Sequence, residues 1–222
     1  LPTHRRGAVV EDVERGFRGG MEDRAWQTDT CIGEWHYKKS LFDEKAYMSA
    51  EKVVHRLCDV VSKNGNLLLS IPMKADGTID YEERAIVEAV GGWLARFGDA
   101  IFNTRPWRSF GEGPTLVTSG QFGEATAKPF TAADIRFTAA KEDVFAVTLG
   151  QPASTVSIRS FAEGSNVGAG QVERVEVVGS SAPLDFTRDS AGLHVQIPEQ
   201  ARDSFGVALK LAGRGLIDTP GG

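Results

Sequence analysis

The sequence is poor in the residues that build disulfide frameworks and metal sites. It has only two cysteines, Cys31 and Cys58, which are too few for a disulfide framework and do not fall at metal-ligand spacing. Its four histidines do not fall at ligand spacing either. We therefore expect no metal site and no cofactor, and we interpret both cysteines as small buried thiols.

Long apolar runs and an excess of positive charge are also missing. No apolar segment approaches the roughly 18 residues that a membrane-spanning helix needs. The net charge of −5 argues against nucleic acid or an anionic membrane as the main partner. Neither a glycine-rich phosphate loop nor a serine nucleophile elbow is found. The first residues, 1–6, contain neither an initiator methionine nor an apolar signal region, so the sequence leaves the localisation open.

The 222 residues are enough for one large or two modest domains, and the hydrophobic pattern changes along the chain. In the first part, Ser49 is a predicted N-cap of a helix that ends near Asn64, and Asp80 is a predicted cap of a second helix. An apolar segment over 66–72 lies between them and has the composition of a strand that is covered on both faces. This order predicts an α/β unit with parallel strands.

The pattern changes near Gly111–Pro114. Beyond this point apolar and polar residues alternate in short segments, and turn signals such as Asp189–Gly192 separate them. Regular short strands of this kind predict an antiparallel β-sandwich without long helices. We therefore predict two domains, with α/β structure in residues 1–112 and a β-sandwich in residues 113–222.

The segment from Trp26 to Tyr37 has an unusual composition for a protein core. Three aromatic residues, a histidine and two acids fall within it. Polar groups that are buried without partners cost free energy, so this mixture is poor core material. It suits a carbohydrate site, because aromatic rings can cover the apolar faces of a sugar while acids and histidine bond its hydroxyl groups.

Several motifs that follow one another in order point to a known family. They are the segment 26–37, the segment Val60–Pro72, the segment Ala75–Ile79 and the segment Gly98–Trp107. At these residues the chain resembles the α-L-fucosidases of glycoside hydrolase family 29. The resemblance implies the C-terminal portion of such an enzyme, namely the last part of an irregular (β/α)8-like barrel followed by a β-sandwich. A whole barrel needs about 200 residues or more, and only the first 112 precede the change of pattern.

The resemblance also implies retaining hydrolysis of terminal α-L-fucose from glycans, which needs two carboxyl groups. The family's nucleophile is an aspartate on an earlier barrel strand, and nothing in this chain matches its surroundings. The partners implied are therefore a fucosylated glycan or glycoside and the missing N-terminal part of the barrel.

Three residues are candidates for the acid/base. Glu14 is the first, because it follows a predicted strand and precedes Arg15, as an acid does in some members of the family; a solvated acidic run is the alternative. Glu34 is the second, since the aromatic cluster around it could desolvate it and favour the protonated form that a general acid needs. Asp29 is the third, and a structural hydrogen bond at the end of a strand is the alternative role for it.

Five residues are candidates for substrate binding. Trp26 and Trp35 could stack against fucose or its neighbouring sugar, although a role in the core is the alternative for both. Many relatives have glutamate where this chain has Gln27, which cannot act as an acid but can still bond a hydroxyl. His36 and Tyr37 could also bond sugar hydroxyls.

A second class of function remains open at this point. The chain could be a non-catalytic carbohydrate-binding or structural β-sandwich module that carries a remnant of a barrel. The acids at Glu14 and Glu34 favour the enzyme, because a sandwich that only binds sugars has no need of them.

Overall fold

The computed structural model describes residues 9–168 and 170–217, and its first part is an α/β unit. Three parallel strands pair in the order β1-β2-β3. The elements of this part are β1 (Glu11–Asp12), β2 (Trp26–Cys31), α1 (Lys39–Asp43), α2 (Ala50–Ser62), β3 (Gly65–Ser70) and α3 (Tyr81–Phe97). No helix in the described ranges is long and apolar enough to cross a membrane.

The two long helices begin where their capping residues predict. The Ser49 side chain accepts a hydrogen bond from a backbone N–H in the first turn of α2. Asp80 and Glu83 form a reciprocal capping box at the start of α3. After α2 the chain turns sharply, with Asn64 in the left-handed region at φ 70°. Gly65 follows because a β-carbon there would lie 2.6 Å from the Trp26 ring.

Among the residues that the structure describes, the parallel sheet is covered on one face only. On that face Trp26 packs with Val13 and with Val60 of α2. On the other face Asn66 is exposed, and Leu68 is 56% exposed. The expectation that the strand over 66–72 is covered on both faces is therefore wrong for this chain, because α2 supplies a cover for only one of them.

The second part is an antiparallel β-sandwich, as predicted. A five-stranded sheet has the order β4-β5-β6-β11-β8, and a three-stranded sheet has the order β7-β10-β9. Trp107 stacks on Phe161 in the core with ring centroids 4.9 Å apart. The strands are β4 (Arg105–Glu112), β5 (Ile135–Ala140), β6 (Asp143–Thr148), β7 (Thr155–Ile158), β8 (Gln171–Val177), β9 (Phe186–Asp189), β10 (Gly192–Gln196) and β11 (Ala208–Arg214).

The sandwich sheet begins before the turn signal at Gly111–Pro114. Strand β4 spans Arg105–Glu112 and pairs with β5. The hydrophobic core is also continuous across this point, since Trp93 and Phe97 of α3 belong to the same buried cluster as the sandwich residues. The division into residues 1–112 and 113–222 stays a prediction.

A buried ionic cluster joins the two parts. The Asp59 carboxylate on α2 lies 2.8 Å from Lys63 Nζ, one helical turn away, and accepts a 2.7 Å hydrogen bond from Arg136 Nε on β5. All three side chains are almost completely buried. Burial lowers the pKa of Lys63, and the Asp59 carboxylate opposes this effect. One carboxylate therefore balances two buried cations, one from each part of the fold.

We expect Asp59→Asn to lower the free energy of unfolding by about 3–5 kcal/mol, because it leaves two buried cations without their shared counter-ion. Urea unfolding followed by circular dichroism measures this loss. Glu88→Gln is a matched control, since Glu88 pairs with Arg84 at the same i,i+4 spacing on the exposed side of α3. The control should leave the unfolding midpoint nearly unchanged; equal losses in both variants would contradict this account of the cluster.

Candidate functional site

The parallel strands bring the acid candidates to one edge of the sheet. Glu14 follows β1 and Glu34 follows β2, so both lie beyond the carboxyl ends of neighbouring strands. Arg15 connects them, because its backbone N–H donates to Asp29 O over 2.9 Å and its Nη1 lies 3.8 Å from Glu34 Oε2. This is the edge where α/β barrels carry their catalytic groups.

The open face of the sheet carries the polar candidates of β2. Side chains alternate along a strand, so Gln27 and Asp29 share this face with Asn66 and Leu68 of β3. Gln27 Nε2 donates to the Asp12 carboxylate over 3.0 Å. Asp29 Oδ1 is buried, and it has no hydrogen-bond partner among the residues that the structure describes. Such an acceptor is suited to a ligand hydroxyl, because an unsatisfied buried oxygen is costly.

Trp26 lies on the opposite face, and this corrects the expectation that it stacks against a sugar. Its side chain is 2% exposed and its indole N–H donates to Lys63 O over 2.9 Å. The alternation along β2 points it toward α2 and away from Gln27 and Asp29. In this chain Trp26 is therefore a core residue.

The other aromatic candidates lie in the loop after β2. Trp35 is 37% exposed, His36 is exposed and Tyr37 is half-buried. Glu34 has a side chain that is 45% exposed, so the aromatic cluster does not desolvate it as expected. The loop thus presents rings and polar groups at the same edge as Glu14 without enclosing them.

A second ionic cluster beneath this edge was not predicted. The Glu124 carboxylate is hydrogen-bonded to Arg15 Nε, to Arg56 Nη1 (2.6 Å) and to Thr30 Oγ1 (2.7 Å). Arg56 also donates to Gly16 O over 3.0 Å. The bond to Glu124 raises the pKa of Arg15, whereas burial lowers the pKa of Arg56.

Only Arg56 of this cluster left a signal in the sequence. It lies with Asp59 at helical spacing on the buried side of α2, and charged residues at such positions indicate buried partners. Glu124 lies in the connection between β4 and β5, where no periodicity marks it. Within the described ranges, no group of three or more histidine, cysteine or acidic residues could hold a metal ion.

Comparison with known proteins finds similarity to one family. A family model described as Alpha-L-fucosidase matches residues 3–99. The plasma α-L-fucosidase of Rattus norvegicus is 30% identical over 199 residues, which are 87% of this chain and 39% of the rat protein. The tissue α-L-fucosidase of Homo sapiens is 34% identical over 92 residues, which are 40% of this chain and 19% of the human protein.

A solved structure of an α-fucosidase is also similar to this chain in its fold. The crystal structure of Thermotoga maritima α-fucosidase in complex with fucose matches with a TM-score of 0.65 and 28% identity, over 85% of this chain and 40% of that one. The chain therefore spans about two fifths of the length of the rat protein and of this bacterial one.

We expect Trp26 and Trp35 to differ in what their substitution does. Trp26→Phe should lower the free energy of unfolding by about 1–3 kcal/mol, because the buried Lys63 carbonyl loses its hydrogen-bond donor. Trp35→Phe is the matched control and should leave stability unchanged, since Trp35 is partly exposed in a loop. Urea unfolding of the two variants tests this, and a larger loss for Trp35→Phe would contradict the assignment.

Proposed function

Because this chain is related to the C-terminal portion of the α-L-fucosidases of glycoside hydrolase family 29, we propose that it is part of an enzyme that removes terminal α-L-fucose from glycans with retention of configuration. The observation that carries the proposal is the edge beyond β1 and β2, where Glu14, Arg15 and Glu34 lie together within the matched residues. A glycan or glycoside ending in fucose is the substrate, and one matched bacterial enzyme was solved with fucose bound.

The first part of the chain, in this proposal, completes a (β/α)8-like barrel. The repeating unit of such a barrel is a parallel strand followed by a helix, and β2 with α2 and β3 with α3 have this order. Parallel sheets are normally covered on both faces, and the open face with Asn66 and Leu68 is the one that would point into the barrel. The remaining strands and the aspartate nucleophile belong to the part of the enzyme that this chain does not include. The proposed domains are residues 1–112 for the barrel part and 113–222 for the sandwich.

Glu14 is the proposed acid/base of the reaction. The nucleophile carboxylate forms a bond to the anomeric carbon while Glu14 gives its proton to the glycosidic oxygen, whose bond to that carbon breaks. Glu14, now ionised, then takes a proton from the water that attacks the same carbon, and the nucleophile leaves as a carboxylate. Glu34 and Asp29 are the next candidates for this role, in that order.

The binding residues in this proposal surround the same edge. Trp35 offers a ring face to the sugar, and His36 and Tyr37 offer hydrogen bonds to its hydroxyls. Gln27 and the unpaired oxygen of Asp29 contribute from the open face of the sheet. Trp26 is not among them, because it is buried on the other face.

The alternative, a sandwich module that binds sugars or plays a structural role without catalysis, has less support. The family model matches residues 3–99, which contain the parallel strands and end before the first sandwich strand. The feature that separates the two functions is the acidic edge, which a binding module does not need.

We expect the 222-residue chain by itself not to hydrolyse an aryl α-L-fucoside, because two carboxyl groups must flank one sugar and the nucleophile is missing. Addition of the upstream barrel strands should restore turnover, measured as release of the aryl alcohol. Strong activity from the chain alone would mean that the nucleophile lies within it.

We expect Glu14→Gln, in the complete enzyme, to slow fucosides with poor leaving groups by about 10²–10⁴-fold and activated aryl fucosides far less. Only a poor leaving group needs a proton, and general acid catalysis is worth about that factor. Steady-state kinetics on both substrate types measures the contrast.

Glu11→Gln is the matched control, since Glu11 is a nearby acid on β1 that is exposed. It should leave both rates nearly unchanged. Equal losses on both substrates in Glu14→Gln would give Glu14 a binding or folding role, and the contrast should then be sought in Glu34→Gln and Asp29→Asn.

A further inference from the structure

Part of the connection between β4 and β5 returns to the α/β unit and lies along the edge that carries Glu14. We call residues 119–124 the strap. It is bound to residues 14–17 by backbone hydrogen bonds from Phe17 N to Gly120 O (3.1 Å), Gly120 N to Phe17 O (3.0 Å), Phe122 N to Glu14 O (2.8 Å) and Glu124 N to Arg15 O (3.1 Å). A segment that leaves and re-enters the sandwich sheet thus forms part of the candidate site.

The last residue of the strap makes the strongest contacts. The Glu124 carboxylate accepts from Arg15 and Arg56 with its two different oxygens, and Thr30 of β2 donates to the one that Arg56 uses. The Glu124 side chain is only 11% exposed. Charge-assisted hydrogen bonds of this kind are strong, and they fix geometry as well as adding free energy.

Arg15 links Glu124 to the acid candidates. Its backbone lies in the left-handed region at φ 46°, a conformation that costs free energy for a residue with a side chain and persists only where its surroundings hold it. Glu124 bonds both its carbonyl and its guanidinium. The neighbouring residue in the chain is Glu14, and the guanidinium also lies 3.8 Å from Glu34. Both acids therefore lie beside Arg15, and Glu124 holds Arg15 in place.

We infer that Glu124 is a positioning residue of the fucosidase reaction, and that it acts through Arg15 on the acid/base. This inference rests on the proposed function. Glu124 itself touches neither the sugar nor the glycosidic oxygen. Its effect is on the orientation in which the acid/base delivers the proton. We therefore expect Glu124 to affect the rate on substrates whose leaving group needs that proton.

The test uses Glu124→Gln in the complete enzyme, because glutamine keeps the size of the side chain and removes its charge. We expect kcat to fall about 10- to 100-fold on a fucosyl disaccharide, while KM stays within about twofold and activated aryl fucosides lose little. In the 222-residue chain, hydrogen exchange at the amides of Phe17 and Phe122 should become faster.

Glu112→Gln is the matched control. Glu112 is also 11% exposed and also accepts several hydrogen bonds, from the backbone N–H groups of Arg159 and Ser160 and from the Ser160 hydroxyl, but it lies in the sandwich. Its substitution should leave the ratio of the two kcat values unchanged. Should Glu124→Gln fail to fold, Glu124→Asp serves instead, since it keeps the charge and shortens the reach.

Two outcomes would overturn this inference and leave the proposed function standing. One is an unchanged kcat in an active enzyme, and the other is an equal loss on both substrates together with a lower melting temperature, which would make Glu124 merely structural. A complete wild-type enzyme that hydrolyses no α-L-fucoside would overturn the proposed function and this inference with it.

Discussion

The fold depends on one carboxylate in the protein interior, where a charge without a partner costs free energy. Asp59 is 1% exposed, and it balances Lys63 at the C-cap of its own helix and Arg136 from the sandwich sheet. The rings of Phe110 and Phe130 lie over the Arg136 guanidinium, at 5.5 and 4.8 Å, and keep water away from it. An ion pair in such surroundings tolerates few geometries, so it specifies how α2 and β5 meet more than it adds net stability.

The same helix supports the candidate site from below. Arg56 lies one turn before the cluster and donates to Glu124 and to the Gly16 carbonyl. Side chains one turn apart on α2 therefore bind the sandwich sheet and the acidic edge. The relation between the halves of the molecule is set by buried charges on one helix, and the apolar core that runs from α3 into the sandwich fills the space around them.

Much of the fold could be predicted from local chemistry. The caps at Ser49 and Asp80, the parallel unit and the β-sandwich follow from patterns that a few neighbouring residues carry. The comparisons confirm the resemblance to the α-L-fucosidases. The site residues Glu14, Glu34, Asp29, Gln27, Trp35, His36 and Tyr37 stay predictions.

What sequence patterns missed depends on contacts between distant segments. Trp26 shares its motif with polar residues, and only the pairing of β2 with its neighbours decides which face it occupies. Arg15 and Glu124 are separated by 109 positions, and no local period links them. The start of the sandwich sheet at Arg105 could not be predicted either, because β4 is defined by its pairing with the distant strand β5.

Through the strap, the sandwich contributes residues to the candidate site, although it follows the α/β unit in the chain. A domain joined by a simple linker can be lost, exchanged or duplicated during evolution while its neighbour keeps working. Here the loop that supplies Glu124 is anchored at both ends in sandwich strands, β4 and β5. Removal of the sandwich would therefore also remove part of the lining of the candidate edge, so the α/β unit depends on the sandwich for its local structure.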